Sequence, residues 1–124
     1  MPAHQLTVSI KRAYEPAHER DGTRVLVDRI WPRGVSKDEA HIDLWLKDIA
    51  PSKDLRTWYG HDPALFEEFR RRYQDELKAE PARAALSRLR ELAAAGPVTL
   101  VFATRAADHS NAAVLRDLLL RSGD

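Results

Sequence analysis

The sequence predicts an α/β fold: three layers, with a small, partly parallel sheet of about three principal strands and helices on both faces. Three observations lead there. Val25-Leu26-Val27 and Val98 to Ala103 are nearly unbroken apolar runs, the mark of strands covered on both sides. Between them lie segments with helical spacing and helix-capping signals, and another such segment follows the last run. A late buried strand with helices before and after it fits a helical crossover returning to the sheet.

Taken in order, Leu6 to Ile10 alternates apolar and polar residues and reads as a strand with one buried face. Tyr14 to Gly22 is a polar loop ending in the turn signal Asp21-Gly22. Arg24 to Asp28 is the second strand, and Arg29-Ile30-Trp31-Pro32-Arg33-Gly34 leaves it as a rigid loop, because Pro32 lacks a donor and Gly34 tolerates positive φ. Ser36 and Glu39 make a capping box, so a helix is expected from there to about Ile49, with Ile42, Trp45, Leu46 and Ile49 on its inner face. Pro51 stops it, and Ser52 caps a short helix carrying Leu55, Arg56 and Trp58.

Asp62-Pro63 starts the next helix, whose stripe of Phe66, Phe69, Tyr73 and Leu77 is the clearest in the chain. Pro81 opens another, with Leu86, Leu89, Leu92 and Ala93 inward, and Gly96-Pro97 ends it. After the third strand a last helix is expected from about Ser110 to Leu120, packed through Val114, Leu115 and Leu118. Trp45 and Trp58 are expected in the core. Arg70-Arg71-Arg72 points in three directions on its helix, beside Glu67 and Glu68, and reads as a solvated, salt-bridged face.

Composition narrows the function classes. A length of 124 residues suits one domain, 1–124, able to bury its own core without a metal or disulfide. The 20 basic and 19 acidic residues nearly cancel, which argues against a dedicated nucleic-acid binder but leaves room for a local anion site. Cysteine is absent, so thiolate catalysis and cysteine-bound zinc are excluded, and the histidines show no ligand spacing. Neither a Gly-x-Ser-x-Gly elbow, a Walker loop nor a Gly-x-Gly-x-x-Gly turn occurs. With no secretion signal in Met1 to Lys11 and no apolar span long enough for a bilayer, a cytoplasmic protein without membrane contact is expected.

Several stretches carry a resemblance. Lys11-Arg12-x-Tyr14, the run from Asp21-Gly22 through Val27-Asp28-Arg29-Ile30-Trp31-Pro32-Arg33-Gly34, and Ala50-Pro51-Ser52-x-x-Leu55-Arg56 resemble the YeaO-like family of small bacterial proteins, a domain-of-unknown-function family. Phe69-x-x-x-Tyr73-x-x-Glu76-Leu77, Gly96-Pro97 and Asn111 fit it too, so the resemblance covers nearly the whole chain. It implies an α/β domain with polar residues near strand ends, and it supplies no chemistry.

The place where chemistry is expected follows from the fold class. Open α/β sheets bind ligands outside the carboxyl ends of their strands. Asp28, Arg29 and Arg33 end the second strand there, and Lys11, Arg12 and Tyr14 end the first. Arg56 lies on the short helix after Ser52, while His109 and Asn111 follow the third strand. Guanidinium forks suit carboxylates and phosphates. Asp28 is therefore the candidate catalytic acid or base, with His61, Glu76 and His109 as candidate partners. Arg12, Tyr14, Arg29, Trp31, Arg33, Arg56, His109 and Asn111 are the candidate ligand-binding residues, with no metal and no cofactor. A second reading stays open, in which Asp28 pairs with Arg29, Arg33 or Arg56 only to tie the loop down.

Two functions fit these residues. One is a module binding an anionic, phosphate-like small molecule at the strand ends, with or without catalysis. The other is a non-catalytic protein- or nucleic-acid-interaction module using the arginine-rich rim and Trp31. A deep cleft holding a perturbed Asp28 favours the first.

Overall fold

The computed structural model describes residues 6–122. The strands β1 (Val8–Arg12), β2 (Thr23–Leu26), β3 (Leu44–Trp45) and β4 (Val98–Phe102) form one parallel sheet in the order β1-β4-β2-β3. Ile10, Leu100 and Val25 stand side by side across it, and so do Lys11, Val101 and Leu26 one residue later. Because side chains alternate, the first row faces one side and the second row the other.

The first face carries the main core. Val25, Val98, Leu100 and Phe102 pack with residues of α2 (Lys53–Tyr59), α3 (Phe66–Glu76), α4 (Ala82–Ala95) and α5 (Asn111–Ser122). All five residues of β4 are buried, and each such aliphatic or aromatic side chain contributes about 1.5–3 kcal/mol on leaving water. The second face is thinner. Leu26, Val101 and Ala13 are covered by Trp31, Val35 and Ile42 from the segment between β2 and β3, which includes α1 (Lys37–Ala40), and by Trp45 of β3.

The long helix expected from Ser36 to Ile49 is not formed. Ser36 and Glu39 do make the capping box, but His41 adopts the left-handed conformation and ends α1 after four residues. The chain then pairs with the free edge of β2: Asp43 N donates to Arg24 O at 2.9 Å and Leu46 N to Leu26 O at 3.0 Å. Ile42, Trp45 and Ile49 suit a helix by spacing, yet ladder bonds to an unpaired edge decide the outcome. Trp58 is a second correction. Leu55 and Tyr59 take the inner side of α2, leaving Trp58 36% exposed with the Arg72 guanidinium 4.2 Å above its ring. Arg70, Arg71 and Arg72 pair with Glu67 and Glu68 on a solvated face.

At Gly22 the backbone has φ +65° and an added Cβ would lie 2.2 Å from Pro97 O. Only glycine lets the chain pass there into β2, where Thr23 N donates to that same oxygen. No helix among the described residues is long and apolar enough to cross a membrane.

The topology creates one crevice. β2 and β4 are neighbours and parallel, but the chain leaves β2 over the second face and leaves β4 towards α5 on the first. Neighbouring strands whose continuations part to opposite faces open a gap at their carboxyl ends.

Candidate functional site

Asp28 and Ala103 sit at that gap, two residues after β2 and one after β4. The Ala103 N–H donates to Asp28 Oδ2 at 2.9 Å, so the carboxylate joins the two strand ends. Asn111, the first residue of α5, donates from Nδ2 to Val27 O at 3.0 Å. The same amide reaches the Asp28 carboxylate and the hydroxyl of buried Tyr73. Tyr73 itself donates to Ile49 O at 2.6 Å. Burial pushes the Asp28 carboxyl above its ordinary value, against the Ala103 N–H, the Asn111 amide and the Arg56 charge, which all hold it down. Burial and the nearby Asp28 charge together push the Tyr73 hydroxyl well up.

Around Asp28 lies a cavity of about 420 Å³. Its inner wall includes Arg56, Tyr59, Phe69, Pro51 and Asn111, and its rim includes Tyr14, Arg29, Ile30, Arg33 and His61. Arg56 is held there by α2, whose start is fixed twice over. Ser52 Oγ accepts from Leu55 N as the helix cap, and Glu76 of α3 accepts from Ser52 N at 2.9 Å and from Ser52 Oγ at 2.6 Å. Glu76 is thereby occupied and is not a partner for Asp28.

Arg56 Nε is buried with no hydrogen-bond partner among the described residues. Arg29 makes one long bond to Ala50 O, at 3.4 Å. Neither they nor Arg33 form an ion pair among the described residues, and Asp28 forms none either. The pairing reading of Asp28 therefore gives way to a strand-to-strand hydrogen bond.

Of the residues singled out in the sequence, Asp28, Tyr14, Arg29, Trp31, Arg33, Arg56, His61, His109 and Asn111 line this one cavity. Arg12 does not. Its guanidinium donates to Thr104 O at 3.0 Å and Ala103 O at 3.1 Å, which props the end of β4 from behind. Lys11 is likewise diverted, to Asp21. Trp31 lines the wall as a buttress: Nε1 donates to Val35 O at 2.6 Å and its ring meets Trp45 edge-on at 5.4 Å. Trp45 in turn donates to Asp28 O at 2.7 Å. Tyr14 donates to Arg33 O, steadying the rim loop. The His109 ring stands edge-on to Phe66, and its carbonyl accepts from Tyr59.

Sequence reading passed over Tyr59, Phe69, Thr104 and Ser110 as lining residues. Tyr59 stands three positions after Arg56 on one helix face, and Thr104 follows a strand end as Asp28 does; both signals were available. No group of three or more His, Asp or Glu among the described residues could hold a metal ion.

Residues 7–123 match the family described as the inactive DUF488-N3 subclade. An uncharacterised protein of Mycobacterium tuberculosis is 52% identical over 112 residues, spanning 90% of this chain and 92% of its own length. An uncharacterised protein of Mycobacterium bovis matches to the same extent. The uncharacterised protein YeaO of Escherichia coli is 36% identical over 114 residues, spanning 92% of this chain and 97% of its own. No solved structure matches the chain. With a match of this length and these relatives, the chain belongs to the YeaO-like proteins of the DUF488 group, in the N3 subclade described as inactive.

Proposed function

We propose that this protein binds an anionic, phosphate-like small molecule in the crevice between the ends of β2 and β4. One observation carries the reading: Arg29 and Arg33 from the loop after β2 and Arg56 from α2 come to one cavity, and none forms an ion pair with an acidic side chain among the described residues. Five other guanidiniums, those of Arg24, Arg70, Arg71, Arg72 and Arg83, do have such partners. A cavity of about 420 Å³ suits a small metabolite better than a flat partner surface. Trp31, committed to Val35 and Trp45, is poorly placed to serve as a free stacking platform for nucleic acid.

Binding without turnover is the simpler form of this reading. The pocket offers no thiol, and its carboxylate is engaged by Ala103 and Asn111. The description of the subclade as inactive also supports it.

Calorimetric titration with inorganic phosphate and with ribose 5-phosphate tests the proposal. Arg33→Ala, at an exposed position, is expected to weaken both ligands about tenfold while leaving the melting temperature within about 2 °C. Equal affinity for wild type and variant, or no heat with either ligand, would remove the anion site.

A further inference from the structure

The crevice has two chemically different ends. The rim carries Arg29 and Arg33, both exposed. The inner wall carries Asp28 beside Arg56, whose Nε–H is buried and has no partner among the described residues. An anion placed at the inner end would meet the Asp28 carboxylate at close range, a like-charge contact in a poorly solvated place. The charged end of a ligand is therefore directed outward, to the rim.

What suits the inner end is a neutral group. It must accept from a guanidinium N–H and, beside that acceptor, donate to a carboxylate. Amide, lactam and amidine edges have that pattern, and nucleobases present it on a flat ring. Much of the remaining lining is apolar and partly aromatic: Ile30 at the rim, Trp31, and Pro51, Tyr59 and Phe69 on the inner wall. Three guanidiniums against one carboxylate leave two positive charges in the cavity, the charge of one phosphate monoester dianion.

From this juxtaposition we infer that the ligand is a nucleoside monophosphate, its base edge read by Asp28 and Arg56 and its phosphate held by Arg29 and Arg33. The inference rests on the anion-binding reading and adds the inner recognition element to it.

Calorimetry with four probes separates the two ideas: inosine monophosphate, ribose 5-phosphate, phenyl phosphate and inosine. Wild type is expected to bind inosine monophosphate at least about tenfold more tightly than ribose 5-phosphate or phenyl phosphate, since a hydrogen bond to a desolvated charge is what the sugar and phenyl probes lack. Asp28→Asn keeps an oxygen for the Ala103 N–H but turns an amide N–H towards the ligand's donor. In that variant the advantage of the nucleotide is expected to vanish while ribose 5-phosphate binds as before. If the three phosphates bind wild type equally, the base-edge inference is overturned and the anion site stands. If inosine binds as tightly as its monophosphate, the base edge stands and the anion site falls. If none of the four binds, both are overturned. Circular dichroism of Asp28→Asn guards the comparison. Should that variant fail to fold, Arg56→Met takes its place, and an unchanged nucleotide preference there overturns the inference.

Discussion

Arg24 and Arg56 are the same residue type at opposite ends of one sheet, and their surroundings could hardly differ more. Near the start of β2, Arg24 is only 3% exposed, and its guanidinium is fully engaged. It donates to Asp21 Oδ2 at 2.6 Å and twice to Ala40 O, at 3.1 and 2.9 Å. At the carboxyl end Arg56 has a buried Nε with no hydrogen-bond partner among the described residues, beside a carboxylate with which it forms no ion pair. The first arrangement closes the fold. The second leaves an interaction unmade, as a site awaiting a ligand does.

The two aspartates sharpen the contrast. Burial alone would raise the Asp21 carboxyl, but the His18 N–H, Arg24 and Lys11 bring it below its ordinary value. Asp28 goes the other way, because burial outweighs its hydrogen bonds and the Arg56 charge. One end of the sheet gains stability from an ionised carboxylate, and the other gives some up.

The largest effect is expected at the closed end. Arg24→Ala takes the closest cation from the Asp21 carboxylate, leaving it Lys11 and the His18 N–H, and strips the Ala40 carbonyl of both guanidinium donors, and urea denaturation should show a loss of about 3–5 kcal/mol. Glu76→Ala comes next. It frees the start of α2 and should lower stability by about 1–3 kcal/mol, weakening nucleoside monophosphate binding as Arg56 loses its anchor. At the open end, Arg56→Met is expected to leave stability within about 1 kcal/mol of wild type, or raise it, since it removes a buried donor with no partner. A loss as large as that of Arg24→Ala would erase the distinction between the two ends.

The smallest effect is one of slope. Asp28, with its raised folded value, binds more protons folded than unfolded, so its contribution declines as pH rises from below the ordinary carboxylate range through the folded value. Asp21, with its lowered value, adds stability above the ordinary range and loses it as pH falls through the folded value. Denaturation midpoints from pH 3 to 7 should therefore show Asp28→Asn gaining on wild type as pH rises and Asp21→Asn losing ground; parallel curves would contradict both assignments.

Much of the architecture was legible because it rests on local signals. The apolar runs of β2 and β4, the Ser52 cap and the Phe66-Phe69-Tyr73-Leu77 stripe each declare their element without help from distant residues. Residues 41–49 misled for the opposite reason. Their apolar spacing suits a helix, and only the unpaired edge of β2, remote in sequence, turns Leu44 and Trp45 into strand. The location of the cavity could be anticipated, since Asp28 and Arg29 follow a strand and the switch-point rule puts ligands there. The diversion of Arg12 to two carbonyls could not be, because an arginine at a strand end looks the same in sequence whether it faces the crevice or braces its back. Trp58 failed on a finer point, as Leu55 and Tyr59 already fill the inward face of so short a helix.

Because the chain departs from β2 and β4 in opposite directions, the two flanks of the crevice are separate stretches of sequence, 28–33 and 103–111, with the sheet between them. The exposed positions of these stretches, Arg29, Ile30 and Arg33 on one and Arg105 and Asp108 on the other, could be rewritten by mutation while Trp31 keeps covering Leu26 and Val101 and Asp28 keeps its bond to Ala103. Chemical specificity and foldability are thereby uncoupled. A lineage of such proteins can exchange what it recognises through two short edits, and a protein engineer can do the same.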